Sequence, residues 1–277
     1  MSLVLVILGV ALGLEPADQE LANKAREIYP SIEEAYYQGD FVLMEELTRQ
    51  QLKLLESMSE PPSKERASSL SDLAVALKDQ GRHEEAAELF EQATTLLRRV
   101  DPESVDMAVL LTNSASLLNI LGQYDEALAN YRKSLAIDEK LLGPDHVDIA
   151  IDLNNIATVH WDLAEYDQAL PLFYRSLKIR EGHYGPSHEN VAIVLNNIAN
   201  LHWETGDFVA ARTLYERALE IRRRELGEHH HLYANSLHNL GNLLQLQGDI
   251  DGARNTLARA CDIFEESLGP EHRLFAR

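Results

Sequence analysis

The side chains with the clearest chemical potential are the 11 histidines and the single cysteine of this 277-residue sequence. Histidine is the commonest metal ligand in proteins and an acid–base catalyst near neutral pH. Three histidines stand together at 229–231, and His146, His188, His230 and His272 recur every 42 residues. A metal site needs three or four converging ligands, whereas regular spacing is typical of residues that repeat with a structural unit. We therefore predict a packing role in a loop for the spaced histidines, no metal site and no cofactor.

The motifs of common catalytic sites are also missing from the sequence. It has no glycine-rich phosphate loop, no HExxH zinc motif and no GxSxG nucleophile elbow. Cys261 takes the place of Leu135, Leu177 and Leu219 in earlier copies of the repeat, so we predict a buried filler rather than a nucleophile. Acidic residues occur along the whole chain and give no reason to choose a catalytic pair. We predict that the protein is not an enzyme.

The elements that position these side chains follow from the same 42-residue spacing. Each unit has two apolar runs at three- and four-residue intervals, separated by a glycine turn and closed by Gly-Pro at 143, 185 and 269. This pattern predicts a helix, a tight turn, an antiparallel helix and a loop, and such pairs must stack to bury their apolar faces. A copy shortened by one residue lies upstream, where Asp72 takes the place of a recurring asparagine. That asparagine series is Asn113, Asn155, Asn197 and Asn239.

The segments LNNIA and LGPDH, with the glycine turn between the two helices, resemble the 42-residue tetratricopeptide repeats of kinesin light chains and their bacterial relatives. The resemblance covers five units over residues 63–270. A divergent helix pair at 17–60 is expected before them, and 271–277 would open a truncated further repeat. The resemblance implies an all-α fold, a right-handed superhelical solenoid of antiparallel helix pairs. It also implies that the first helix of each pair lines a concave groove.

Ligand contacts are therefore expected from the first helices. Asparagine amides donate and accept hydrogen bonds, which suits the backbone of an extended peptide, and tryptophans are rigid anchors at interfaces. Two alternatives stay open. The series that includes Asn155 could satisfy groups of neighbouring repeats, and the tryptophans could fill space between helices. The predicted peptide-binding residues are Thr112, Ser116, Asn119, Asn154, Thr158, Trp161, Asn196, Asn200, Trp203, His238, Asn242 and Gln245.

The charge is unevenly placed. The sequence has 45 acidic and 25 basic residues and a formal net charge of −20, which disfavours nucleic acid as a partner. No lysine or arginine occurs in 104–120, 146–162, 188–204 or 230–246, the segments expected to line the groove. Tetratricopeptide domains that clamp acidic ligands need such bases. We therefore predict a protein–protein interaction scaffold that binds a neutral or basic peptide or helix, rather than an acidic one.

The two ends of the sequence leave alternatives open. The apolar run within 1–16 is too short to cross a bilayer and lacks a basic start, so it is a packed segment, a signal sequence or a remnant of cloning. We expect no membrane span and a cytoplasmic protein, or an exported one if this run is a signal. The last helix pair could lack its cover. The alternative function is thus an assembly or regulatory segment of a larger complex, with self-association through this C-terminal pair.

Overall fold

A computed structural model describes residues 15–268; the predictions for the apolar leader before residue 15 and for the segment 269–277 lie outside this part of the chain. The chain divides into two compact units, 1–144 and 145–277. The described residues form twelve helices and no strand, which confirms the predicted all-α class. In the first unit the helices are α1 (Pro16–Gln38), α2 (Phe41–Glu56), α3 (Ser63–Asp79), α4 (His83–Val100), α5 (Val105–Ile120) and α6 (Tyr124–Leu142). In the second they are α7 (Val147–Asp162), α8 (Tyr166–Tyr184), α9 (Glu189–Glu204), α10 (Phe208–Glu225), α11 (His231–Leu246) and α12 (Ile250–Leu268).

The helices form six antiparallel pairs because each odd-numbered helix is followed by a turn of two or three residues. We call the odd-numbered helices the first helices and the even-numbered ones the second helices. Gly206 shows how the turn works: its φ of 82° is left-handed, its N–H bonds the carbonyl of Trp203 at 3.0 Å, and Asp207 N–H bonds that of His202 at 2.8 Å. The Asp207 carboxylate then caps α10 by accepting from Ala210 N–H at 3.1 Å. Ala164 is the one non-glycine residue with positive φ, 57°, among residues 15–268.

The Gly-Pro segments end the second helices as predicted. Gly143 follows α6 with φ 88° and ψ 161°, and Gly185 follows α8 with φ 86° and ψ 159°. This region of backbone conformation is essentially restricted to glycine, and the following proline cannot continue a helix. Each loop therefore redirects the chain toward the next first helix.

Small residues bring the helices of each pair together. The alanines that recur in phase, such as Ala150, Ala169, Ala192 and Ala211, are completely buried. Larger side chains such as Phe90 fill the spaces between pairs. In the first unit one apolar cluster extends from α1 to α6, and in the second two overlapping clusters extend from α7 to α12. None of the helices of residues 15–268 is both long enough and apolar enough to span a membrane.

The apolar residues of α12 mostly pack inward. Ile263 and Phe264 are buried in a cluster with Tyr233 and Leu237 of α11, which does not favour the alternative of an uncovered association surface there. Cys261 is exposed, so the prediction of a buried filler is wrong. The physical reason is helical phase: the buried stripe of α12 runs through residues 260, 263 and 264, and position 261 is turned about 100° away from 260.

Candidate functional site

Side-chain amides connect consecutive first helices in the second unit. The Asn197 Nδ2 of α9 donates to the Asn154 Oδ1 of α7 at 3.0 Å, and the Asn239 Nδ2 of α11 donates to the Asn196 Oδ1 of α9 at 3.2 Å. In each case the donor belongs to the recurring asparagine series. The acceptor is the residue immediately before the series member of the preceding repeat. We call 72, 113, 155, 197 and 239 the ladder positions and these contacts ladder bonds.

The first unit repeats this arrangement once. The Asn113 Nδ2 of α5 donates to the Ser71 Oγ of α3 at 3.5 Å, and Ser71 again stands directly before a ladder position. The offset is 42 residues here instead of 43, because this copy of the repeat is one residue shorter. Ladder bonds therefore link neighbouring repeats in both units, which is the structural alternative considered for the asparagine series.

Three amides predicted to bind peptide have oxygens that are already engaged. Asn154 and Asn196 accept the ladder bonds, and Asn200 Oδ1 accepts from the Tyr215 hydroxyl of α10. All three side chains are half-buried. Their Nδ2 groups make no hydrogen bond with any residue of 15–268. Each amide is thus held in orientation by its oxygen, while its nitrogen remains as a donor for a ligand carbonyl.

The two tryptophans are half-buried. Trp161 packs against the cluster that contains Phe173, and Trp203 against the cluster that contains Tyr215. Each indole therefore fills space between helices and is in part exposed to solvent. A ring supported in this way is rigid, which is the property that makes tryptophan effective at an interface.

The remaining predicted residues of the second unit are less constrained. The Thr158 hydroxyl bonds the backbone carbonyl of Asn154 at 2.9 Å, one turn back in its own helix. Asn242 Nδ2 lies 3.0 Å from His238 Nε2. His238 and Gln245 are exposed. The α11 part of this face thus offers polar groups that a partner can reorient.

The predicted residues of α5 in the first unit have a different environment. The Thr112 Oγ1 lies 2.9 Å from the buried Ser134 Oγ of α6, so this hydroxyl points toward the second helix. Ser116 Oγ accepts from Lys78 Nζ of α3 at 3.4 Å, and Asn119 is half-buried. Lys78 therefore supplies a positive charge beside α5. The prediction based on the composition of α5 alone did not include this charge.

The first helices of the second unit contain no lysine and no arginine. Exposed carboxylates, Asp162 and Glu204, stand at the ends of α7 and α9. Arg222 of α10 is buried: its Nε bonds Glu189 at 3.1 Å and its Nη1 bonds Ser236 Oγ at 2.9 Å. Burial raises the pKa of Glu189, although Arg222 acts in the opposite direction. The second helices thus keep this base inside the protein, and the face of the first helices remains neutral or negative.

The spaced histidines cap helices. Nδ1 of His146, His188 and His230 accepts the backbone N–H two residues later, at 3.3, 3.1 and 3.2 Å, at the starts of α7, α9 and α11. The ring also packs locally, since His188 stacks on Tyr184 with centroids 4.6 Å apart. His272 lies outside the described residues. Within 15–268, no group of three or more histidine, cysteine or acidic side chains is arranged to hold a metal ion.

Family models described as tetratricopeptide repeats match most of this chain. One model matches residues 106–182, 153–223 and 190–266, and a second matches residues 66–100. Together these matches contain α4 and α6 to α11 in full and all of α5 except its first residue. No curated protein matches the sequence.

Solved structures share the fold at low sequence identity. BtubC (BKLC) from P. vanneervenii is 20% identical over 93% of this chain and 94% of its own, with a TM-score of 0.65. A Podosopora anserina protein described as a kinesin light chain with nearly identical TPR-like repeats is 22% identical over 76% of this chain and 98% of its own, with a TM-score of 0.62. The quorum sensor NprR from B. thuringiensis is 13% identical over 91% of this chain and 66% of its own, with a TM-score of 0.70.

Proposed function

Because the chain belongs to the tetratricopeptide repeat family, whose fold is that of a protein–protein interaction scaffold, we propose that its first helices bind a neutral or basic peptide. The proposed contact surface in the second unit is formed by α7, α9 and α11, and we call it the amide face. It consists of Asn154, Thr158, Trp161, Asn196, Asn200, Trp203, His238, Asn242 and Gln245.

The observation that carries this proposal is the orientation of the amides. Asn154 on α7 and Asn196 on α9 stand at equivalent positions of successive repeats, and Asn200 lies one turn further along α9. Each is fixed through its oxygen, and its Nδ2 is left as a donor. Repeated donors on neighbouring helices suit the repeated carbonyls of an extended backbone. Because the amides are already ordered, little side-chain entropy is lost on binding. Recognition of this kind needs no catalytic group, so the chain acts as a scaffold rather than an enzyme.

The charge preference follows from the lack of lysine and arginine on the amide face. An acidic peptide would meet no cation there and would approach a chain with net charge −20. A neutral peptide meets no such opposition, and a basic one is attracted by carboxylates such as Asp162 and Glu204 at the helix ends. The complementarity is expected to affect the association rate and its salt dependence more than the final affinity.

A comparison of labelled peptide libraries tests the proposal. Neutral, basic and acidic pools of equal length are titrated with the protein and followed by fluorescence anisotropy at low and high salt. We expect the neutral and basic pools to bind and the acidic pool not to bind. Tight, salt-sensitive binding of the acidic pool would refute the charge preference.

Variants of the amide face separate binding from folding. Asn196→Ala with Asn200→Ala should weaken peptide binding at least tenfold, because two fixed donors are lost. Asn196→Ala also breaks the ladder bond from Asn239, so Asn239→Ala is the matched control: it breaks the same bond but keeps the Asn196 amide, and it therefore separates loss of the donor from loss of the bond. Equal binding by the double variant and the wild-type protein would show that the amide face is not the working surface.

A further inference from the structure

Asp72 is the one ladder position that carries a charge. It lies on α3 in the first unit, its side chain is only 5% exposed, and its Oδ2 is buried without a hydrogen-bond partner among residues 15–268. The other ladder positions are all asparagines, for example Asn113. A buried carboxylate that lacks a partner is costly in free energy and requires an explanation.

The ladder rule identifies the group that Asp72 faces. A ladder bond joins a ladder residue to the residue just before the ladder position of the preceding repeat, as Asn197 bonds Asn154 at an offset of 43. Gly39 and Gly81 show that the first two repeats are also 42 residues apart, so the partner position of Asp72 on α1 is Tyr29. The Tyr29 hydroxyl is buried and also lacks a hydrogen-bond partner among the described residues. The ladder bond is therefore missing here, and two buried oxygens on adjacent first helices remain unsatisfied.

The surrounding charges make this site negative. Burial raises the pKa of Asp72, and Glu33, one turn after Tyr29 on α1, adds to this shift. Burial also raises the pKa of the Tyr29 phenol, and Asp72 and Asp106 add to that shift. Lys64, the base beside Asp106, is already paired with Asp101 at 2.5 Å and lies 3.9 Å from Asp106. The adjoining part of α2 contributes a neutral amide, Gln51, which accepts from Ser69 Oγ at 2.8 Å. No cation of the described chain compensates Asp72.

We propose that Tyr29 and Asp72, with Glu33 and Asp106 around them, form a binding site for the ammonium group of a lysine side chain on the peptide partner. An ammonium carries three donors at the end of a long apolar stem, so one ammonium can donate to the Asp72 carboxylate and the Tyr29 oxygen together. This inference rests on the proposed peptide-binding function and adds a lysine subsite on the first unit.

The site makes binding dependent on pH in a defined direction. Burial raises the pKa of Asp72 to about 7, so the empty site is largely protonated in mildly acidic solution. The ammonium binds the ionised carboxylate, which must first release its proton. Below pH 7 the affinity for the ammonium should therefore increase about tenfold for each unit by which the pH rises. Above pH 7 the affinity should be constant. The other titratable groups around the site are Glu33, Asp106, Tyr29 and Lys64. Burial raises the pKa of Asp106 and of Tyr29, and the hydrogen bond to Asp101 raises that of Lys64.

A small-molecule titration tests the site without any peptide. The protein is labelled with carboxyl-¹³C aspartate, and comparison with Asp72→Asn identifies the Asp72 resonance. The pKa of Asp72 is then measured by NMR in about 100 mM n-butylammonium chloride. The control is the same concentration of tetramethylammonium chloride, a cation that has no N–H donor. We expect a lower pKa by at least about half a pH unit in n-butylammonium, and a smaller decrease in Tyr29→Phe. Equal pKa values of Asp72 in the two salts would overturn the proposal. They would indicate instead that Asp72 is a buried acid that binds no ammonium.

The peptide libraries supply the second arm. Asp72→Asn should lose at least tenfold in affinity for lysine-containing peptides at about pH 8 and keep its affinity for neutral ones, while Asp79→Asn, an exposed charge on the same helix, should bind like the wild-type protein. If Asp72→Asn keeps the preference for lysine, the subsite is refuted although peptide binding stands. If no peptide binds the wild-type protein, the proposed function is refuted. The n-butylammonium titration then still tests whether Tyr29 and Asp72 bind an ammonium group.

Discussion

Asp72→Asn is expected to stabilise the first unit, and by an amount that depends on pH. The carboxyl titrates near 4 in an unfolded chain and at about 7 in the fold, because burial and Glu33 oppose its ionisation. A raised pKa in the folded state means that stability is highest when the group is protonated and is lost as pH rises from about 4 to about 7. At about 1.4 kcal/mol per pH unit, the ionised group costs about 2 kcal/mol at pH ~5.5 and about 4 kcal/mol at pH ~8.5.

Asparagine removes this cost because it does not titrate, and it can donate to the Tyr29 oxygen as Asn113 donates to Ser71. Urea unfolding of the wild-type protein and the variant, followed by far-UV circular dichroism at both pH values, measures the gain. Hydrogen exchange of the α3 amides localises it to the first unit. We expect about twice the gain at the higher pH. A gain that is the same at both pH values, or a less stable variant, would refute the reasoning.

Three further predictions concern the second unit, where both tryptophans report urea unfolding by fluorescence. Ala164→Gly should raise stability by about 1 kcal/mol, because Ala164 has a φ of 57°, and Gly206→Ala at the equivalent turn should lower it by a similar amount; a less stable Ala164→Gly would contradict this. His188→Ala should cost about 1 kcal/mol through loss of the cap on α9, whereas His188→Asn should retain most of the stability; equal losses would mean that the cap contributes nothing. Arg222→Met should cost about 3 kcal/mol because it leaves Glu189 buried without its partner, and adding Glu189→Leu should recover part of that loss; additive losses in the double-mutant cycle would argue against coupling.

The repeat predicted the fold well because it reports backbone and packing requirements directly. The recurring alanines mark places where helices approach closely, and glycines such as Gly206 mark turns that require positive φ. The two apolar runs of each unit predicted two helices, and α7 and α8 form one such pair. Close packing and turn conformation depend on residues that are near in sequence and on the apolar area they bury. Each copy of the repeat therefore gives an independent indication of the same helix or turn.

Side-chain partners were much harder to predict. Asn154 and Asn155 are adjacent in sequence; the prediction gave Asn154 a ligand contact and left a structural role open for the series of Asn155. The structure also uses the Asn154 oxygen as the acceptor for Asn197. The offset of 43 residues depends on how one first helix lies beside the next. The periodicity within a single helix gives no information about that arrangement. The histidine caps were missed for a similar reason. Capping depends on the direction of one ring nitrogen, and the spacing that indicated a loop is equally compatible with a cap.

The departure at position 72 links the stability of the first unit to its proposed binding site. An asparagine at this position would satisfy the ladder at no electrostatic cost, so the aspartate lowers stability in the free protein at neutral pH. An ammonium that pairs with the carboxylate restores an ordinary pKa and must recover the same free energy, because binding and ionisation are linked. The wild-type protein saturated with a lysine ligand at pH ~8.5 should therefore approach the stability of unliganded Asp72→Asn, and the ligand should stabilise the variant much less. Equal stabilisation of both proteins by the ligand would place the lysine elsewhere and leave Asp72 without a binding role.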